Sequence, residues 1–163
     1  EREEGNTKID ASAIVLALRK PTWLSIRRDD PYFEHIYCCF AEFRAENGSS
    51  RHTRRLDILV AETITVDDRD KITFRGIEIK IDKKDLLTDC KMQEYTEFVD
   101  YFYIAIPAND VMIEAARSIR LPEWGILTVD NSGDITVMEE PRQLYPVYRD
   151  RTMANCIIKM AKQ

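Results

Sequence analysis

Histidine, cysteine and glycine are scarce in this 163-residue chain, and each shortage closes off a chemistry. Two histidines, His35 and His52, are too few for a histidine-rich zinc centre. The four cysteines, at 38, 39, 90 and 156, show no C-x-x-C spacing. Cys38 and Cys39 are adjacent and point to opposite sides of an extended chain, so they do not readily share a metal. Reduced, partly buried thiols in a cytoplasmic protein are the expectation. Five glycines and six prolines leave no long flexible linker. No run of 18 apolar residues occurs, so no membrane-spanning helix is expected. The opening Glu1-Arg2-Glu3-Glu4 lacks the apolar core of a signal peptide. Positive charge is not in excess either. With 24 Lys and Arg against 29 Asp and Glu, the net charge is −5, so any contact with phosphates has to come from a local basic cluster.

What remains is ordinary globular composition, 44% hydrophobic and 33% charged, which excludes a collagen-like, low-complexity or disordered chain. The length suits one domain, 1–163. A chain of this size buries roughly 70% of its unfolded surface, enough to fold without staples.

The pattern along the chain predicts an α/β domain. Residues 10–20 read as a helix capped by Asp10, with Ile14, Val15 and Leu18 as the apolar stripe and Pro21 as the stop. A turn at Asp29-Asp30-Pro31 precedes a strand at 36–44, and Asn47-Gly48-Ser49-Ser50 is a second turn. RHTRR at 51–55 is the densest positive cluster. Strands follow at 56–60 and 72–82, joined through the charged stretch 66–71, an antiparallel pair because a parallel crossover needs a dozen or more residues. Asp85 caps a helix reaching about Val99, 101–107 is a buried strand, and 111–119 is a short helix. Strands 124–130 and 134–140 flank the turn Asn131-Ser132-Gly133. Residues 151–162 carry Met153, Cys156, Ile157, Met160 and Ala161 at helical spacing. The order α-β-β-β-α-β-α-β-β-α implies a mixed sheet covered by helices, with a core at about 10–107 and an extension at 111–163.

Three features point to chemistry. In GIEIKID the isoleucines 77, 79 and 81 face one way and Glu78, Lys80 and Asp82 the other. A lone E-x-K describes many solvated strands. Asp57, however, sits inside the apolar stretch 56–60, where an ionised carboxylate is costly unless a charge answers it. Pairing the two strands brings Asp57 and Glu78 together, and a hard divalent cation relieves their repulsion. Lys80, one step along the same face, can orient a nucleophile or offset charge developing on a phosphate; its plainer reading is an ion pair with either acid. Finally, Lys91 and Tyr95 are i,i+4 on the following helix, able to hold a phosphate backbone, or else to be a solvated lysine and a core tyrosine.

With Asp57, Glu78-Ile79-Lys80 and the α-β-β-β-α-β order, the chain resembles the PD-(D/E)XK phosphodiesterase superfamily. Within it, RRLDILV…GIEIKIDKKDLLTDCKMQEYTEFVDYFYIAIP is similar to the MmcB-like proteins linked to DNA repair, through Arg54, Arg55, Asp57, Glu78, Lys80, Asp85, Lys91, Tyr95 and Asp100. The similarity spans about 50 residues. It implies a restriction-endonuclease-like fold with an added C-terminal hairpin and helix. It also implies Mg²⁺ or Mn²⁺ held by Asp57, Glu78 and the Ile79 carbonyl, with Lys80 assisting the attacking water. Arg54, Arg55, Lys91 and Tyr95 would lie against nucleic acid, most naturally DNA. No proline precedes Asp57. The upstream glutamate of the superfamily falls to Glu42 on the first strand, with Glu34 as its competitor. Two readings stand beside a nuclease: a member of the same fold that binds nucleic acid or protein without cleaving, and an interaction module whose E-I-K is a surface strand.

Overall fold

The computed structural model describes residues 8–24, 34–46 and 54–163. The turns read at 29–31 and 47–50, and the first three residues of RHTRR, lie outside them. Asp10 caps α1 (Ala11–Leu18) by accepting from the Ala13 N–H at 2.8 Å, and Ile14 and Leu18 are its buried stripe. Pro21 does more than end the helix: it opens a 3-10 turn, Pro21–Trp23, that buries Trp23.

Six strands form one mixed sheet in sequence order. β1 (Glu34–Ala45), β2 (Arg54–Val66) and β3 (Arg69–Ile79) are antiparallel neighbours. β4 (Tyr101–Pro107) and β5 (Trp124–Val129) continue it in parallel, and β6 (Ile135–Glu139) returns antiparallel. The central α/β expectation therefore holds, and the hairpin at 131–133 is present.

Two boundaries differ from the sequence reading, each for a local reason. The β2–β3 connection is not a six-residue loop. Asp67 and Asp68 both take positive φ, 52° and 59°, the geometry of a tight primed hairpin turn that Asp tolerates. That lets alternating Thr and Ile residues extend both strands. The helix expected over 85–99 is broken. Asp82, not Asp85, caps α2 (Lys83–Thr88), its carboxylate accepting from Lys84 and Asp85 N–H groups. The chain then leaves helical geometry at Asp89 and resumes as α3 (Met92–Tyr95). α4 (Asp110–Ile119) crosses from β4 to β5 with Asn109 as its cap, and α5 (Arg149–Ala161) closes the chain.

The helices cover the sheet on both faces. Leu86, Met92, Tyr95, Met112 and Cys156 from α2 to α5 pack on Phe43, Leu56, Leu59 and Phe102. Ile14, Leu18 and Trp23 pack on Ile58, Val60, Ile77 and Tyr103 from the other side. On that second face Glu62, 1% exposed, is answered by Arg75 at 3.1 Å and His35 at 2.9 Å, so its burial is compensated. Among the described residues no helix is long and apolar enough to cross a membrane.

Candidate active site

The site is built where β2 begins and β3 ends. Sheet pairing runs to Ile58↔Ile77, which places Asp57 across from Glu78. Here the two carboxylates take over from the backbone ladder. The Asp57 N–H donates to Glu78 Oε1 at 3.0 Å, and the Ile79 N–H donates to Asp57 Oδ2 at 2.7 Å. Each acid thus has one oxygen fixed by the other strand. Beyond them the Lys80 N–H donates to the Ala105 carbonyl at 2.9 Å, tying the site to β4. The pair therefore stands at the carboxyl end of β3, the end at which parallel strands present ligand sites.

Simple alternation does not produce this arrangement. Leu56 and Leu59 lie in one core layer while Ile58 and Val60 lie in the other, so β2 changes face at Asp57. β1 makes the same slip, with Phe40 and Phe43 in one layer and Glu42 between them at φ 49°. A left-handed residue inside a strand re-aims its neighbours, and here it does so with the register intact, Ala41↔Ile58 on one side and Phe43↔Leu56 on the other. Lys159 of α5 holds this stretch by donating to the carbonyls of both Ala41 and Glu42.

Burial sets the electrostatics. Glu78 is 5% exposed. Removal from water, and then the negative charge of Asp57, raise its carboxyl to about 8. Asp57 is likewise raised, first by burial, against the opposing influence of the Ile79 N–H and Lys80. Two close carboxylates that cannot both ionise cheaply are the expected state of such a pair. Lys80 does not pair with either. Its Nζ lies 2.6 Å from Asp89 Oδ2, each side chain 15% exposed. Asp89 Oδ1 accepts the Lys91 N–H at 2.7 Å. Burial works to raise Asp89, but the hydrogen bonds from Lys80 and the Lys91 backbone outweigh it and hold this carboxyl below its usual range.

The structure thus brings together Asp57, Glu78, Ile79 and Lys80, and adds Asp89, which sequence reasoning missed. Asp89 falls inside the helix expected over 85–99, and the break between α2 and α3 leaves it as the C-cap of α2, in contact with Lys80. The upstream glutamate is a different matter. Glu34 pairs with Thr65, eight residues along β2 from Asp57 and so about 26 Å away at strand rise. Glu42 is in the row opposite Asp57 but its side chain is exposed. It lines a cleft of about 390 Å³ with Asn155, Lys159 and Lys162 of α5. Among the described residues no three His, Cys, Asp or Glu side chains gather as a ligand set, so neither candidate joins the pair.

The basic and aromatic residues divide similarly. Arg55 and Lys91 are exposed. Arg54 is engaged by Glu94 of α3. Tyr95 is buried, stacked on Phe102, and its hydroxyl donates to the Arg55 carbonyl at 2.9 Å. Burial, with the nearby acids, raises its phenol above the usual range. Because α3 starts at Met92, with Lys91 only its N-cap, Lys91 and Tyr95 do not form the continuous helical face expected of them. Tyr95 sits in the core and Lys91 in solvent.

Asp57 and Glu78 offer carboxylate oxygens, the donor type that a hard divalent cation takes from one or two acids with water completing its shell. Among the described residues no Lys or Arg forms an ion pair with either acid, and Lys80 is paired with Asp89.

No family model matches the chain, and no curated protein matches it. A solved structure of a protein of unknown function from Silicibacter pomeroyi is similar in fold, with a TM-score of 0.54 at 20% identity, over 77% of this chain and 75% of that one. At that identity the likeness concerns the fold, and it places this chain among α/β proteins with a mixed sheet.

Proposed function

We propose that this chain is a Mg²⁺- or Mn²⁺-dependent phosphodiesterase acting on nucleic acid, of the DNA-repair or restriction type. The observation that carries the reading is the Asp57–Glu78 pair, Glu78 buried and Asp57 half-buried, cross-bonded to the two strands and, among the described residues, in no ion pair with a Lys or Arg. In this reading Asp57, Glu78 and the Ile79 carbonyl hold the metal. The metal, when bound, polarises the phosphodiester and promotes attack by water. Lys80 offsets charge as it develops on the phosphoryl oxygens. Arg55 and Lys91 meet neighbouring phosphates of a DNA backbone, while Arg54 and Tyr95 hold α3 against β2.

One observation favours a second reading, binding without cleavage: among the described residues no third acid completes a ligand set with the pair, Asp89 being taken by Lys80. Incubation with plasmid and single-stranded DNA in Mn²⁺ separates the two. Cleavage by the wild type, reduced about 100-fold or more in Asp57→Ala and Glu78→Ala through loss of metal ligation, is the expected result. DNA binding with no cleavage establishes the second reading. Neither binding nor cleavage removes both.

A further inference from the structure

An ammonium two residues from a carboxylate, beside a second carboxylate, has a default fate. It collapses onto the acids as a salt bridge, because that contact relieves their repulsion at once. Lys80 has not done so. Its ion-pair partner is Asp89 at 2.6 Å, although both Asp57 and Glu78 feel its charge. Asp89 is itself held, by the Lys91 N–H at 2.7 Å and by its place at the break between α2 and α3, where it is the C-cap of α2. A backbone-anchored carboxylate therefore competes for Lys80 and wins.

We propose that Asp89 is a positioning residue that keeps the acid pair open for a divalent cation by holding the Lys80 ammonium off it. This rests on the reading of Asp57 and Glu78 as metal ligands and assigns a role to a residue outside that motif. Without Asp89, Lys80 swings onto Asp57 or Glu78 and competes with the metal for the same oxygens. The effect acts through Lys80, so it disappears when Lys80 carries no charge.

Mn²⁺ binding to the full chain, measured by titration calorimetry without DNA, tests this. Asp89→Asn retains an oxygen for the Lys91 N–H and removes the charge that holds Lys80. Its Mn²⁺ dissociation constant should rise about 10-fold, the scale of losing an outer partner of a metal site. Lys80→Met should bind Mn²⁺ at least as tightly as wild type. The double variant Asp89→Asn/Lys80→Met should regain that affinity to within a few-fold, a rescue that damage to the α2–α3 junction would not show. Equal affinity in Asp89→Asn and wild type, or a double variant as weak as Asp89→Asn, overturns the positioning role and leaves the metal site standing. A wild type that shows no saturable Mn²⁺ binding overturns both.

Discussion

Glu78 shows what burial does to a single group. Its carboxyl lies at about 8 in the folded chain, far above the ordinary glutamate range near 4.3. The folded form therefore holds a proton that the unfolded form has released. The stability linked to this group is fully present below the unfolded value and is lost as pH rises through about 8. Glu78→Gln keeps an oxygen for the Asp57 N–H and carries no charge. In metal-free buffer it should be more stable than wild type at pH 8 by about 1–2 kcal/mol, with the gap closing toward pH 5. Urea unfolding at four or five pH values checks this. A gap that does not change with pH would mean that Glu78 is ionised throughout. Mn²⁺, which needs both carboxylates deprotonated, should erase the wild type's loss at high pH and release protons on binding.

The elements decide which charges are free to act. Arg54 and Arg55 are adjacent at the start of β2, and as sequence they are equivalent. α3 separates them: Glu94 takes Arg54, Tyr95 takes the carbonyl of Arg55, and the Arg55 side chain is left exposed. Each phosphate contact contributes about one unit to the salt dependence of DNA binding. Arg55→Gln should therefore lower that slope by about one unit, while Arg54→Gln leaves it nearly unchanged. Fluorescence anisotropy with labelled DNA over a salt series measures both. Equal effects of the two substitutions would show that Glu94 does not hold Arg54 in solution.

At the scale of the whole molecule, the C-terminal extension is part of the folded unit. Asp100, 8% exposed, accepts the Phe74 N–H at 2.8 Å and Arg149 of α5 at 3.2 Å. Its own carbonyl accepts the Leu144 N–H at 2.7 Å. Arg149 also donates to the Ile72 carbonyl and lies over the Phe74 ring, and Thr152 donates to the Phe98 carbonyl at 2.7 Å. One carboxylate thus joins β3, β4 and α5. Arg149→Met leaves Asp100 largely uncompensated, and the expected loss is about 2 kcal/mol in urea unfolding. A loss under about 0.5 kcal/mol would mark the contact as an ordinary surface pair.

Much of this was legible in the amino-acid order. Period-two and period-3.6 apolar spacing marked α1, the hairpin strands, β4, β5 with β6, and α5, because burial of one face imposes those periods wherever an element is half-covered. The pairing of Asp57 with Glu78 was legible too, since an acid inside an apolar strand demands an answer from its neighbour. Three things were decided only by tertiary structure. The face change at Asp57 lies opposite the left-handed backbone at Glu42, which α5 contacts from more than a hundred residues away. The break at Asp89 comes from the chain turning back to bury Met92 and Tyr95 against β2 and β4, which helix propensity does not register. The partner of Lys80 follows from that break. A lysine near three acids has several local choices, and which one it takes is set by the distances that packing of the helices on the sheet imposes, not by its neighbours in sequence.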